Sequence, residues 1–97
     1  MFRLLKITGE SLAPEFQEGD FVIVSKIPFL FVRPSPGDVI AFHQPGYGLL
    51  IKRIHQITPE NDLNVIGSNN KSVDSRIFGP VRHGDLVGKI ILHIRKP

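Results

Sequence analysis

Turn residues interrupt this chain before any helix can run its course. Nine glycines and eight prolines are scattered through 97 residues, and no segment holds its apolar residues at a period of 3.6. Proline lacks the backbone N–H that a helix interior needs, and glycine loses the most conformational freedom on ordering. What recurs instead is a short run rich in β-branched and aromatic residues, closed by a turn signal. Strands are expected over residues 3–7, 20–26, 38–43, 49–58, 63–66 and 86–95. The turns between them read EGD (18–20), RPSPGD (33–38), QPGYG (44–48), TPEND (58–62) and GSNNKS (67–72). In EGD and PGD, a glycine at positive φ followed by an aspartate that caps the turn is the local expectation. Strands this short and this evenly spaced predict a mainly β fold, a small coiled β-barrel-like single domain over residues 1–97, rather than a sandwich of two full sheets.

Bulk properties narrow the function classes. Cysteine is absent, which excludes disulfides, a thiol nucleophile and the usual zinc-ribbon spacings. The histidines (His43, His55, His83, His93) are scattered and match no close ligand pattern, so neither a metal nor another cofactor is expected. A formal charge of +3 suits an acidic partner, but the basic residues are spread along strands with only short clusters. A solvated basic surface is the simpler reading, and no nucleic-acid partner is expected. The longest apolar run, IPFLFV at 27–32, is far short of the ~20 residues that cross a bilayer. No signal peptide is legible, because Gly9 closes the first apolar run at once. The chain therefore reads as soluble or peripheral, with no transmembrane anchor, and it can be a fragment of something longer. That run also places Phe29, Leu30 and Phe31 between two prolines, in what should be a connection. The three either cover one end of the barrel or form an exposed apolar tip, for a membrane surface or a peptide.

One strand carries a chemically costly residue. In LLIKRIHQI, alternation puts Leu50, Lys52, Ile54 and Gln56 on one face and Ile51, Arg53, His55 and Ile57 on the other. Lysine between aliphatic neighbours is penalised while charged, so burial lowers its pKa, and a neutral amine can act as a general base. The alternative is an amine that snorkels to water. Elsewhere, GESLAP (9–14) presents Ser11 in a stiff turn, as a plain turn former or as a nucleophile at a fixed angle. Serine needs an adjacent base. No histidine stands near a turn with an obvious orienting carboxylate, so a Ser/His/Asp set is not expected. A Ser–Lys pair is the recognised alternative, although spacing along the chain does not establish that Ser11 and Lys52 meet.

Several segments together resemble signal peptidase I-like serine endopeptidases. GESLAPEFQEGDFVIV (9–24) resembles their Gly-x-Ser-Met-x-Pro-Thr-Leu…Gly-Asp box, and PGDVIAF…LLIKRI (36–54) their Gly-Asp-(Ile/Val)-Val…Lys-Arg-Val boxes. GSNNKSVDSRIFGPV (67–81) resembles Gly-Asp-Asn…Ser-x-Asp-Ser-Arg-x-(Phe/Tyr)-Gly, and LVGKI (86–90) the closing Ile-x-Gly-Lys-(Ile/Val). The resemblance implies the fold of the signal peptidase catalytic core. It implies a Ser–Lys dyad that removes N-terminal leader peptides from a precursor protein: Ser11 as nucleophile, Lys52 as general base, and Ser72 as the hydroxyl that orients the lysine amine. Asp74 and Arg76 match a supporting pair that holds the last box beside the lysine. Leu12 and Ile51 would shape a shallow pocket for a small residue before the cleaved bond, and the Ser11 N–H would supply one oxyanion donor.

The departures from the family pattern are local. Leu12 replaces methionine, Glu15 stands where threonine is common, and Ser68 replaces an aspartate. Gly9 stands where some members carry a serine that completes the oxyanion hole, which leaves the second donor unassigned. DSRIFGPV in a compact chain also resembles the nickel-type superoxide dismutase maturation proteases, although mitochondrial inner-membrane peptidases share that box. Beside a degenerate, inactive relative of these peptidases, which Gly9 and Ser68 leave open, two other readings stand. One is a LexA-type self-cleaving domain, which uses the same chemistry but predicts an internal cleavage site and a DNA-binding region. The other is a non-catalytic β-barrel binding module, which predicts salt-dependent binding through Phe29, Phe31 or Tyr47 and indifference to Ser11.

Overall fold

All six expected runs form strands, with ends within a residue or so of the expected ones. The computed structural model describes residues 2–7, 16–67 and 74–95. The strands are β1 (Phe2–Lys6), β2 (Phe21–Ser25), β3 (Val39–Gln44), β4 (Gly48–Ile57), β5 (Leu63–Ile66) and β6 (Leu86–Ile94). They form one antiparallel sheet in the order β1-β2-β6-β3-β4-β5. The barrel-like expectation thus takes the form of a single continuous six-stranded sheet. The last strand in sequence lies between β2 and β3, joining the two hairpin halves.

The two Gly-Asp turns share one construction. Gly19 and Gly37 have φ of 94° and 97°, the value required of the third residue in a type II turn and one that side-chain-bearing residues rarely adopt. Asp20 Oδ2 then accepts from Gln17 N and Asp38 Oδ2 from Ser35 N, each at 3.0 Å. Each turn delivers an apolar strand, β2 or β3, in a set direction.

Apolar residues line both faces of the sheet. In β3, Val39 and Ala41 join one cluster with Ile7, Phe16, Val22 and Val24. Ile40 and Phe42, pointing the opposite way, join a second with Ile54, Leu63, Val65, Val81 and Leu86. Burying both faces explains why β3 reads as a continuous apolar run rather than an alternating one. β4 alternates as expected up to Ile54, but Ile57 packs with the second cluster instead of on the Arg53 face. The cause is a register shift between Ile54 and Gln56 against β5, which resets the alternation.

The apolar stretch after β2 is divided between the two expectations. A 3₁₀ turn (Ile27–Leu30) packs Phe29 against the second cluster, whereas Leu30, Phe31 and Val32 are largely exposed. No helix among the described residues is long and apolar enough to cross a membrane.

Candidate active site

Lys52 sits in the middle of β4, opposite Ile40 of β3, so its side chain leaves the sheet on the face of the second cluster. Leu50 and Ile54, two positions to either side, pack into that cluster. Only 3% of Lys52 is exposed. The lysine therefore does not snorkel. Burial pushes its pKa below the ordinary 10.5, with Asp74 pulling it back up and Arg76 reinforcing the decrease.

Asp74 is completely buried and caps a single helical turn, α1 (Ser75–Phe78). Its carboxylate is saturated with donors. Oδ1 accepts from the backbone N and from Nε of Arg76, both at 3.0 Å. Oδ2 accepts from Arg76 Nη2 at 2.8 Å and Gly67 N at 3.1 Å. Burial alone would raise this carboxyl's pKa, but the fork of Arg76 and the two backbone donors outweigh it and hold the group below its usual range. Because its lone pairs are committed to Arg76 and the backbone, Asp74 acts on Lys52 only as a nearby charge. Among the described residues no ion pair joins Asp74 to Lys52, and the lysine escapes the partner that would most strongly stabilise its protonated form.

The segment around α1 also seals the edge of the sheet. Ser75 Oγ accepts from Val65 N at 2.9 Å, and Val81 exchanges backbone hydrogen bonds with Leu63. Phe78 reaches over the second cluster toward Phe42, with ring centroids 6.1 Å apart. The box DSRIFG thus fastens the last part of the chain beside the lysine strand. An open cleft bounded by His55, Gln56, Asn64 and Arg76 lies against this edge.

The remaining expected residues divide cleanly. Ile51 is half-buried and packs with the first cluster, on the face of β4 opposite Lys52. Ser11, Leu12 and Ser72 lie outside the described residues, as do Gly9, Glu15 and Ser68. One expectation is corrected. A histidine does meet an orienting carboxylate: His93 Nε2 of β6 lies 2.7 Å from Asp20 Oδ2. The partners come from opposite ends of the chain, so no local pattern could signal the pair. Among the described residues, no group of three or more histidine, aspartate or glutamate side chains could hold a metal ion.

The family model of the Peptidase S24-like group matches residues 2–91. The chain belongs to the Peptidase S24-like family. Its membership agrees with the mainly β fold and with the serine-peptidase resemblance carried by the sequence boxes. Among curated proteins, the chain is similar to a probable signal peptidase I-1 from Synechocystis sp., 37% identical over 57 residues. That match takes in 50% of this chain and 29% of the relative. This Peptidase S24-like chain therefore aligns with less than a third of that relative's length.

Proposed function

We propose that the chain is a serine endopeptidase with a Ser11–Lys52 dyad that removes N-terminal leader peptides from precursor proteins. The observation that carries this reading is Lys52, a buried amine on an apolar wall, where the carboxylate that acts on it, Asp74, is already committed to an arginine. Such an amine loses its proton more readily than ordinary lysine, which a base for serine requires.

In this mechanism, neutral Lys52 Nζ takes the Ser11 hydroxyl proton as Oγ attacks the scissile carbonyl carbon. The carbonyl π pair moves to oxygen, where the Ser11 N–H donates to it. The intermediate collapses, the C–N bond breaks, and the Lys52 ammonium protonates the departing amine. The acyl–Ser11 ester is then attacked by a water whose proton passes to Lys52, and the serine oxygen leaves with that proton. Ser72 orients the amine, Leu12 and Ile51 shape the pocket before the cleaved bond, and the Asp74–Arg76 pair holds the last box in place. The exposed Leu30 and Phe31, beside a seated Phe29, would give the enzyme peripheral contact with a membrane.

The test uses a fluorogenic leader peptide with alanine at the positions one and three before the cleaved bond, the small-residue pattern of leader cleavage sites. Ser11→Ala and Lys52→Ala should each lower kcat about 10³-fold or more, with unchanged circular dichroism. Undiminished cleavage by either variant ends the reading. Given the resemblance of DSRIFGPV, a nickel-type superoxide dismutase precursor is the first whole protein to try.

A further inference from the structure

The two edges of the sheet are finished differently. At β5, Val65 N donates to Ser75 Oγ, Gly67 N donates to Asp74 Oδ2, and Leu63 exchanges backbone hydrogen bonds with Val81. At β1, no strand among the described residues pairs with the outer side. The direction of its backbone groups can be read from one end. Ile7 N donates to Asp20 O, and Ile7 O accepts from Gly19 N. Ile7 therefore faces the β2 side, and alternation turns Arg3 and Leu5 the same way. The N–H and C=O groups of Phe2, Leu4 and Lys6 point outward, away from the sheet. Such a row is a template for another strand, which natural edges blunt with proline, a bulge, charge or a covering segment. β1 (FRLLK) has no proline and pairs with β2 without a register shift, so only Arg3 and Lys6 guard it.

The side chains beside this edge are apolar. Phe2 and Leu4 are 64% and 61% exposed, and the register puts them on one face with the exposed Phe21, Leu92 and Ile94. A lipid surface could cover that face, but it offers nothing to the outward N–H and C=O groups, which are costly to bury unpaired. A second β1 satisfies both. We infer that two copies of this chain pair through β1, antiparallel about a two-fold axis at Leu4. In that register Leu4 faces its own counterpart, Phe2 faces Lys6 of the second copy, and Arg3 faces Leu5 of the second copy. The outward groups then exchange about six backbone hydrogen bonds. No like charges stand directly opposite, where they destabilise a strand pair. The two Arg3 side chains meet only on the diagonal, exposed to water and screened by salt. This register overlaps the whole of β1 with itself, whereas an axis at Arg3 or Lys6 would set like charges against each other. The pairing does not depend on the Ser11–Lys52 reading.

The test is the oligomeric state of the full chain, with a readout specific to the strand edge. Sedimentation equilibrium between about 1 µM and about 1 mM spans the affinities of a small interface, and the chain should pass from monomer to dimer within it. Over the same range, amide exchange followed by NMR should slow about fivefold at Leu4 and Lys6. Arg3 and Leu5, already held by β2, should change less. Leu4→Lys and Leu4→Glu alter an exposed position and should leave circular dichroism unchanged. Each should weaken self-association about tenfold or more, because like charges then meet at the axis. Mixed in equal amounts, the two variants should associate about as tightly as the parent, since opposite charges then meet there. A parent chain that stays monomeric at about 1 mM overturns the pairing. So does a mixture no tighter than either variant alone, or a dimer whose Leu4 and Lys6 amides exchange as fast as in the monomer. Slowing that requires added leader peptide or anionic phospholipid vesicles gives the edge to another occupant and equally overturns it.

Discussion

Burial keeps Lys52 short of its ordinary protonation, Asp74 works against that decrease, and Arg76 adds to it. Arg76 both occupies Asp74 and adds its own repulsion, so removing it should act on the lysine without touching it. In Arg76→Met, Asp74 loses its guanidinium partner and keeps only the two backbone donors, the repulsion from Arg76 is gone, and the lysine pKa rises. The limb of kcat/KM that ascends with pH reports the free base, and in the parent chain it should lie below the ordinary lysine value of 10.5. In Arg76→Met that limb should move to higher pH, with activity lost near neutrality and recovered in alkali. A limb that stays in place in the variant would show that Asp74 does not reach the lysine. The same carboxylate governs acid stability. Its folded pKa lies below the unfolded 3.8, so its contribution is complete above that value and is lost as pH falls through the folded one. Asp74→Asn should therefore flatten the acid limb of the stability curve. The loss at neutral pH should be roughly 1–3 kcal/mol, since the partner guanidinium is more than half exposed and solvent-screened. Thermal melts of both proteins across the acid range would measure it.

Among the elements, β6 and β2 approach each other closely at Gly88. Gly88 sits in β6 opposite Ala41, and a Cβ there would stand 2.7 Å from the carbonyl carbon and oxygen of Ser25 and 2.9 Å from Val24 Cγ1. Backbone atoms cannot yield as a flexible side chain can, so Gly88→Ala should cost about 3 kcal/mol, the upper part of the usual overpacking range. A denaturant midpoint matching the parent's would refute that close approach. This glycine belongs to the LVGKI segment, where the sequence signals a motif but not its cause, which is the carbonyl of a strand far away in the chain. The strands and their turns, by contrast, were legible because their signals are local: Gly19 and Gly37 announce a φ, and Asp20 and Asp38 a cap. Lys52's apolar setting was equally readable, through the leucine and isoleucine two positions away on either side. The alternation rule failed only past Ile54, where the β4–β5 register shifts. The Asp20–His93 contact was illegible because it spans 73 positions, and β6 presents His93 just after an irregular pairing with β2.

For the molecule as a whole, the sharing of β3 between two apolar clusters has a mechanical consequence. Val39 and Ala41 anchor the cluster that seats the ends of the Ser11 connection, while Ile40 and Phe42 anchor the one behind Lys52. A strand cannot leave one cluster without withdrawing from the other, so the two sides should unfold together. Phe42 is completely buried and meets the ring of Phe78. Phe42→Ala removes that packing and leaves a cavity, a loss of roughly 3–5 kcal/mol. In a domain of this size each kcal/mol shifts the melting temperature by about 4–8 °C, so a fall of at least ~12 °C follows. If the clusters are coupled through β3, Val22 in the first should lose its hydrogen-exchange protection at the same denaturant concentration as Leu63 in the second. That coincidence should persist in Phe42→Ala at its lower midpoint. Two separate transitions, with Val22 still protected after Leu63 has exchanged, would mean that the clusters stand alone. The support of the Ser11 connection and that of Lys52 would then be independent, and a mutation behind the lysine could not reach the other side of the site.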